Sequence, residues 1–121
     1  MSVTVIDGLP ENVIGFEAVG EVEDDDYEDV ILPAVEQLLE SHEKVRILYV
    51  LGADFEKYEA DAMWEDTKMG LHYRGKWERI ALVTDHKGYQ RSVKAFGFLM
   101  PGEVKVYPLA ELDAAKEWIA G

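Results

Sequence analysis

The sequence predicts an α/β fold: one domain over residues 1–121, with a mixed, mostly parallel sheet and elements in the order β-β-α-β-α-β-α-β-α. Three observations carry that prediction. KVRILYVLGAD, residues 44–54, holds a near-continuous apolar run of strand length, Val45, Ile47, Leu48, Tyr49, Val50 and Leu51, which suits a central strand covered on both faces. Ile80-Ala81-Leu82-Val83 is a second such run. Around these strands the apolar residues recur at spacings of three and four, as on one side of a helix.

Taken in order, Val3 and Val5, then Val13, Ile14, Phe16 and Ala18, predict two short strands joined as a hairpin through Asp7, Gly8 and Pro10. From Asp24 the stripe Tyr27, Val30, Ile31, Ala34, Val35, Leu38 and Leu39 predicts a helix, with Asp24, Asp25 and Asp26 at its positive N-terminus. Pro33 inside it deletes a backbone hydrogen bond and predicts a bend. The central strand is expected to break at Gly52, with a helix start at Asp54 and a second helix over residues 58–73. The next strand ends at Thr84-Asp85-His86, and Tyr89, Val93 and Phe96 mark a third helix stopped by Gly97, Pro101 and Gly102. Val104, Val106 and Pro108 frame an edge strand, and Leu109, Leu112, Ala115 and Ile119 a closing helix.

Composition narrows function by exclusion. A net charge of -13 disfavours nonspecific nucleic-acid binding, because phosphates repel the chain. Cysteine is absent, which removes disulfides, thiol nucleophiles and thiolate metal sites. No apolar run approaches the about 20 residues of a membrane span, and the N-terminus lacks the pattern of a signal peptide, so a bacterial cytoplasmic setting is expected. The charge is uneven: between Lys68 and Lys94 seven bases, Lys68, Arg74, Lys76, Arg79, Lys87, Arg91 and Lys94, stand against only Glu78 and Asp85.

LPAVEQLLESHEKVRILYVLGADF (32–55), AMWEDTKMGLHYRGKWERIALVTD (62–85) and AFGFLMPGEVKVYPLAEL (95–112) resemble the SpoIIAA-like proteins, small bacterial relatives of the STAS domains of anti-sigma factor antagonists and sulfate transporters. The resemblance implies a STAS-like fold with some likeness to lipid-carrying CRAL-TRIO domains, and no established enzymatic activity. STAS-type antagonists carry a phosphorylatable Ser or Thr where the helix follows the central strand. Here that place reads Gly52-Ala53-Asp54-Phe55-Glu56, without a hydroxyl. Partner switching through a phosphate at a helix N-terminus loses its chemical basis.

Candidate chemistry is sparse. The acidic run Glu21–Asp26 lacks the alternating oxygens, central Gly and distant Glu of a calcium loop and reads as a solvated helix start. Asp61, Glu65, Lys68 and His72 share one helix face, where a charged surface is favoured over a metal site because a second ligand set is missing. Asp85 and His86 follow a strand where α/β enzymes place working groups, but no nucleophile motif or phosphate loop accompanies them. The alternative role for Asp85 is a helix cap.

The expectation is therefore a non-catalytic binding module without cofactor or metal. Its candidate ligand-binding residues are the apolar Tyr58, Met63, Trp64, Met69, Trp77, Phe96, Phe98, Leu99 and Met100, rimmed by Lys68, Arg74, Arg91 and Lys94. An amphipathic anionic small molecule or an anionic membrane surface would suit that mixture, giving a cytoplasmic protein peripheral at the membrane. The alternative is a protein-interaction module, including a homodimer, using the same residues; a small enzyme built on Asp85 and His86 is the third reading.

Overall fold

The computed structural model describes residues 3–96 and 102–121, the side chain of Phe96 excepted. Strands β1 (Val3–Ile6) and β2 (Val13–Val22) form the expected hairpin, antiparallel with Val5 opposite Phe16. Strands β3 (Val45–Tyr58), β4 (Trp77–Val83) and β5 (Glu103–Tyr107) continue the sheet in parallel, in the spatial order β1-β2-β3-β4-β5. The mixed, mostly parallel sheet predicted from the apolar runs is present.

Because spatial order follows chain order, crossovers of one hand all fall on one side of the sheet. That side carries α1 (Asp24–Asp26), a π-helical segment (Tyr27–Ile31), α2 (Leu32–Leu39), α3 (Ala60–His72) and α4 (Lys87–Phe96). Tyr27, Ile31, Val35, Ala62 and Met69 pack there against Phe16, Ile47 and Leu82. The opposite side is covered by a 3-10 turn (Leu109–Glu111) and α5 (Leu112–Ala120), whose Ala115 and Ile119 are buried on Leu48, Val50, Ala81 and Val83.

Two local features depart from the sequence reading. At Pro33 the chain widens: the Leu32 N–H donates to the Tyr27 carbonyl, one residue further back than in an α-helix, and Pro33 then enters the first turn of α2, where its missing N–H costs little. The larger correction is at Gly52, which does not end β3. The strand runs on to Tyr58, and α3 begins at Ala60 rather than at Asp54 or residue 58.

β2 extends with it. Pairing passes from Ala18–Leu51 to Gly20–Phe55 and then to Glu21–Lys57, so β3 gains residues on its partner in two bulges. Gly20, at φ 71, supplies the left-handed backbone that this bend requires. The two strands thus form a ribbon that outruns β4, whose paired register stops at Val83 opposite Val50.

Candidate functional site

The ribbon carries aromatic residues over the helical side of the sheet. Phe55 comes from β3 between the two bulges and Tyr58 from beyond them, and Tyr89 comes from the first turn of α4. Each pair of these rings has centroids 5.6 Å apart in edge-on geometry. The Tyr89 hydroxyl accepts the Tyr58 backbone N–H at 3.1 Å, which ties ribbon to helix. Tyr27 from the π segment lies 6.4 Å from Tyr58, and Tyr49 from mid-β3 packs on Phe16 at 5.7 Å.

Beneath these rings the polar groups gather. The buried Tyr27 hydroxyl donates to Asp66 Oδ1 on α3 at 2.7 Å. The Tyr49 hydroxyl is buried and meets no partner with hydrogen-bond geometry. Burial pushes the phenols of Tyr27, Tyr49 and Tyr58 well above their ordinary range, and the Asp66 charge adds to the effect in each. Hydrogen bonding to the Tyr27 hydroxyl works the other way on Tyr49 and Tyr58, although the Tyr49 hydroxyl stands outside good hydrogen-bond geometry with it. Desolvation also raises the Asp66 carboxyl, against the lowering effect of its Tyr27 hydrogen bond.

Asp66 nevertheless keeps solvent access. A carboxylate that is crowded by protein yet open to water sits in a recess. This recess is bounded by α3 and by the π-helical segment that carries Tyr27, beside the Tyr58 ring.

The residues singled out from the sequence do not converge there as a set. Tyr58 is in the aromatic group. Met69 and Trp77 are buried core, the Trp77 indole donating to the Gly70 carbonyl at 3.2 Å. Met63 and Trp64 are exposed on α3. Lys68 pairs with Glu65 at 2.8 Å, and together with His72 it lines a separate open groove of about 650 Å³ between α2 and α3. Arg74 is exposed after α3, while Arg91 and Lys94 are exposed on α4. The side chain of Phe96, and Phe98, Leu99 and Met100, lie outside the described residues.

Asp85 and His86 are both engaged with backbone. Asp85 Oδ1 accepts the Leu109 N–H at 3.0 Å, capping the 3-10 turn after β5 rather than α4. His86 Nδ1 accepts the Tyr89 N–H at 3.4 Å and its ring lies 4.3 Å from that of Tyr89, so it is His86 that caps α4. In the acidic run, Asp26 Oδ2 accepts the Glu23 N–H at 2.8 Å, a helix-start task. Among the described residues no three His, Asp or Glu side chains are grouped for a metal ion.

Phe55 and Tyr89 in the aromatic group, and Tyr27, Tyr49 and Asp66 beneath it, are the site residues that the sequence reading missed. Asp66 had a signal, since it stands four after Ala62 and three before Met69 and so shares their inward face.

Residues 13–120 match the family model described as SpoIIAA-like. The chain belongs to the SpoIIAA-like family. Among solved structures, a SpoIIAA-like fold is also that of a DUF3478-family protein from Shewanella loihica, described as uncharacterized. It aligns with a TM-score of 0.79 at 20% identity, covering 98% of this chain and 94% of the other, a likeness of fold. No curated protein matches the sequence. Within the SpoIIAA-like frame, residues 52–56 lie in β3, and the helix start falls at Glu59-Ala60-Asp61. That start carries neither Ser nor Thr. Among the described residues no helix is long and apolar enough to cross a membrane.

Proposed function

We propose that this SpoIIAA-like protein is a non-catalytic binding module whose ligand enters beside Asp66, where α3 meets the π-helical segment, and lays an apolar body against Phe55, Tyr58 and Tyr89. The observation that carries the reading is the Tyr49 hydroxyl, buried with only the Tyr27 hydroxyl near it and no hydrogen bond of good geometry, close to the accessible Asp66 carboxylate. Leaving a buried hydroxyl unpaired costs about 1–3 kcal/mol, and a ligand polar group that bonds it recovers that cost.

The chemistry of the recess selects the head group. Asp66 and the tyrosine hydroxyls suit a hydroxyl or amine better than a carboxylate, because an anion would face the Asp66 charge. The small molecule is therefore amphipathic, as the sequence suggested, with a neutral or cationic head in this recess. Quenching of tyrosine and tryptophan fluorescence by dodecanol, dodecylamine and dodecanoate tests this order. Saturable binding of the first two, weakened at least about tenfold in Tyr49→Phe or Asp66→Asn, supports the reading. Preference for dodecanoate, or indifference to both substitutions, refutes it.

The anionic-surface reading keeps one specific support. Lys87, Arg91 and Lys94 are exposed on α4, and among the described residues no carboxylate lies within ion-pairing distance of them. Three such cations attract anionic lipid by roughly 1 kcal/mol each at low salt. Flotation with vesicles containing phosphatidylserine, lost when the three become Gln, tests it.

A further inference from the structure

The outer side of α3 is apolar where a helix packed on a sheet would be polar. Ala62 and Met69 face the core, and on the opposite side lie Ala60, Met63, Trp64, Thr67 and Leu71. Met63 is 50%, Trp64 61% and Leu71 64% exposed, three of the five large apolar side chains exposed among the described residues. The N–H and C=O groups of α3 are satisfied within the helix, so the stripe offers side-chain packing and nothing else.

The stripe is symmetric under reversal. Ala60, Trp64, Thr67 and Leu71 are spaced by four, three and four. An antiparallel copy of α3 therefore sets Ala60 against the partner's Leu71 and Trp64 against the partner's Thr67, small against large in both cases. Met63 falls within a turn of the partner's Gly70, around whose Cβ position there is open space.

The charges follow the same reversal. One flank of the stripe carries Asp61 near the N-terminus of α3, then Glu65 paired with Lys68 at 2.8 Å, and His72 towards its C-terminus. Antiparallel pairing brings like flanks together and places Asp61 between the partner's Lys68 and His72, with Glu65 near the partner's Glu65 and each neutralised by its own Lys68. An anionic membrane, by contrast, would meet Glu59, Asp61 and Glu65 on this helix.

We propose that the outer face of α3 is a self-association surface that joins two copies of this chain about a twofold axis with their α3 helices antiparallel. The surface is separate from the recess, because Asp66 points to the inner side of the same helix. One helix pair is smaller than a standard interface, so the dimer is weak, with a Kd on the order of micromolar.

The cysteine-free sequence permits a direct test of geometry. Ala60→Cys and Leu71→Cys are prepared as separate full-length proteins and oxidised gently, each alone and as a mixture. About 16 Å of helix separates the two positions, so the antiparallel dimer cross-links in the mixture at least about tenfold faster than in either sample alone. Sedimentation of the unaltered chain shows a concentration-dependent dimer. Trp64→Glu abolishes it with an unchanged melting profile, as expected for an exposed side chain, and Asp61→Lys weakens it. Cross-linking no faster in the mixture, a monomer at every concentration, or a dimer indifferent to Trp64→Glu overturns the proposal. So does Trp64-dependent flotation on anionic vesicles without self-association.

Discussion

The two sides of the sheet are finished differently. On the α5 side the charged groups Arg46, Glu78 and Arg79 each have a task. Arg46 donates to Glu78 and, at 2.9 Å, to the Ile119 carbonyl, while Arg79 donates to the Trp118 carbonyl at 2.7 Å and lies over the Trp118 ring. Two cations thus hold the carbonyls at the C-terminus of α5, where the helix dipole is negative. Arg46 also holds the Glu78 carboxyl below the usual carboxylate range, chiefly through their hydrogen bond. On the α3–α4 side a tyrosine hydroxyl is buried without a partner and a crowded carboxylate faces water. One side pairs its polar groups; the other leaves a buried hydroxyl without a well-formed hydrogen bond.

Substitutions on the two sides should differ in sign as well as size. Ile119→Ala, on the closed side, removes a fully buried side chain and should lower stability by about 3 kcal/mol in urea unfolding while leaving ligand affinity unchanged. A smaller loss, roughly 1–2 kcal/mol, is expected for Arg46→Ala, which strands the Ile119 carbonyl and loosens the end of α5. Equal loss of ligand affinity in these variants would erase the distinction between the sides.

Tyr49→Phe reverses the sign. It deletes the unpartnered hydroxyl and should stabilise the free protein by about 1 kcal/mol, raising Tm by a few degrees, while weakening ligand binding. A destabilised Tyr49→Phe would mean that the hydroxyl is satisfied in solution.

The smallest effect is one of pH. The Asp66 pKa is raised in the fold, so the native state binds its proton more tightly than the unfolded chain does. The resulting stability is fully present below the unfolded carboxyl pKa and is lost as pH rises through the raised one. Relative to Asp66→Asn, the unaltered protein should lose stability over that acidic interval and run parallel above it. Its solvent access keeps the effect small. A gain with rising pH would contradict the assignment.

What the sequence made legible follows from the same physics. The fully apolar runs of β3 and β4, and the stripes of α2, α4 and α5, have one period each and were readable as strands and helices. The ribbon was not. Its bulges destroy the two-residue alternation, so that Phe55 and Tyr58, three apart, are the partly buried residues between exposed neighbours, and Gly52 reads as a stop. Extending the strand moved the start of α3 and hid which α3 residues face inward. Met63 and Trp64 consequently looked like pocket or core residues, whereas Asp66 was not singled out at all. Tyr49 was visible only as strand core, because nothing in a sequence records whether a buried hydroxyl finds a partner. At the other end of the sheet Gly102 is fixed by contact: a Cβ there would sit 2.5 Å from the Trp77 carbonyl and 2.8 Å from that of Glu78, a proximity that the predicted helix stop only hinted at.

The most direct test of the recess is native mass spectrometry of the gently purified protein beside the Tyr49→Phe/Asp66→Asn double variant, each compared with its denatured form. The account predicts that the unaltered chain carries a small amphipathic molecule, or takes up one equivalent of dodecanol or dodecylamine, which denaturation releases and the double variant fails to retain. Bare and identical masses for both proteins, unchanged by either probe at saturating concentration, would contradict it.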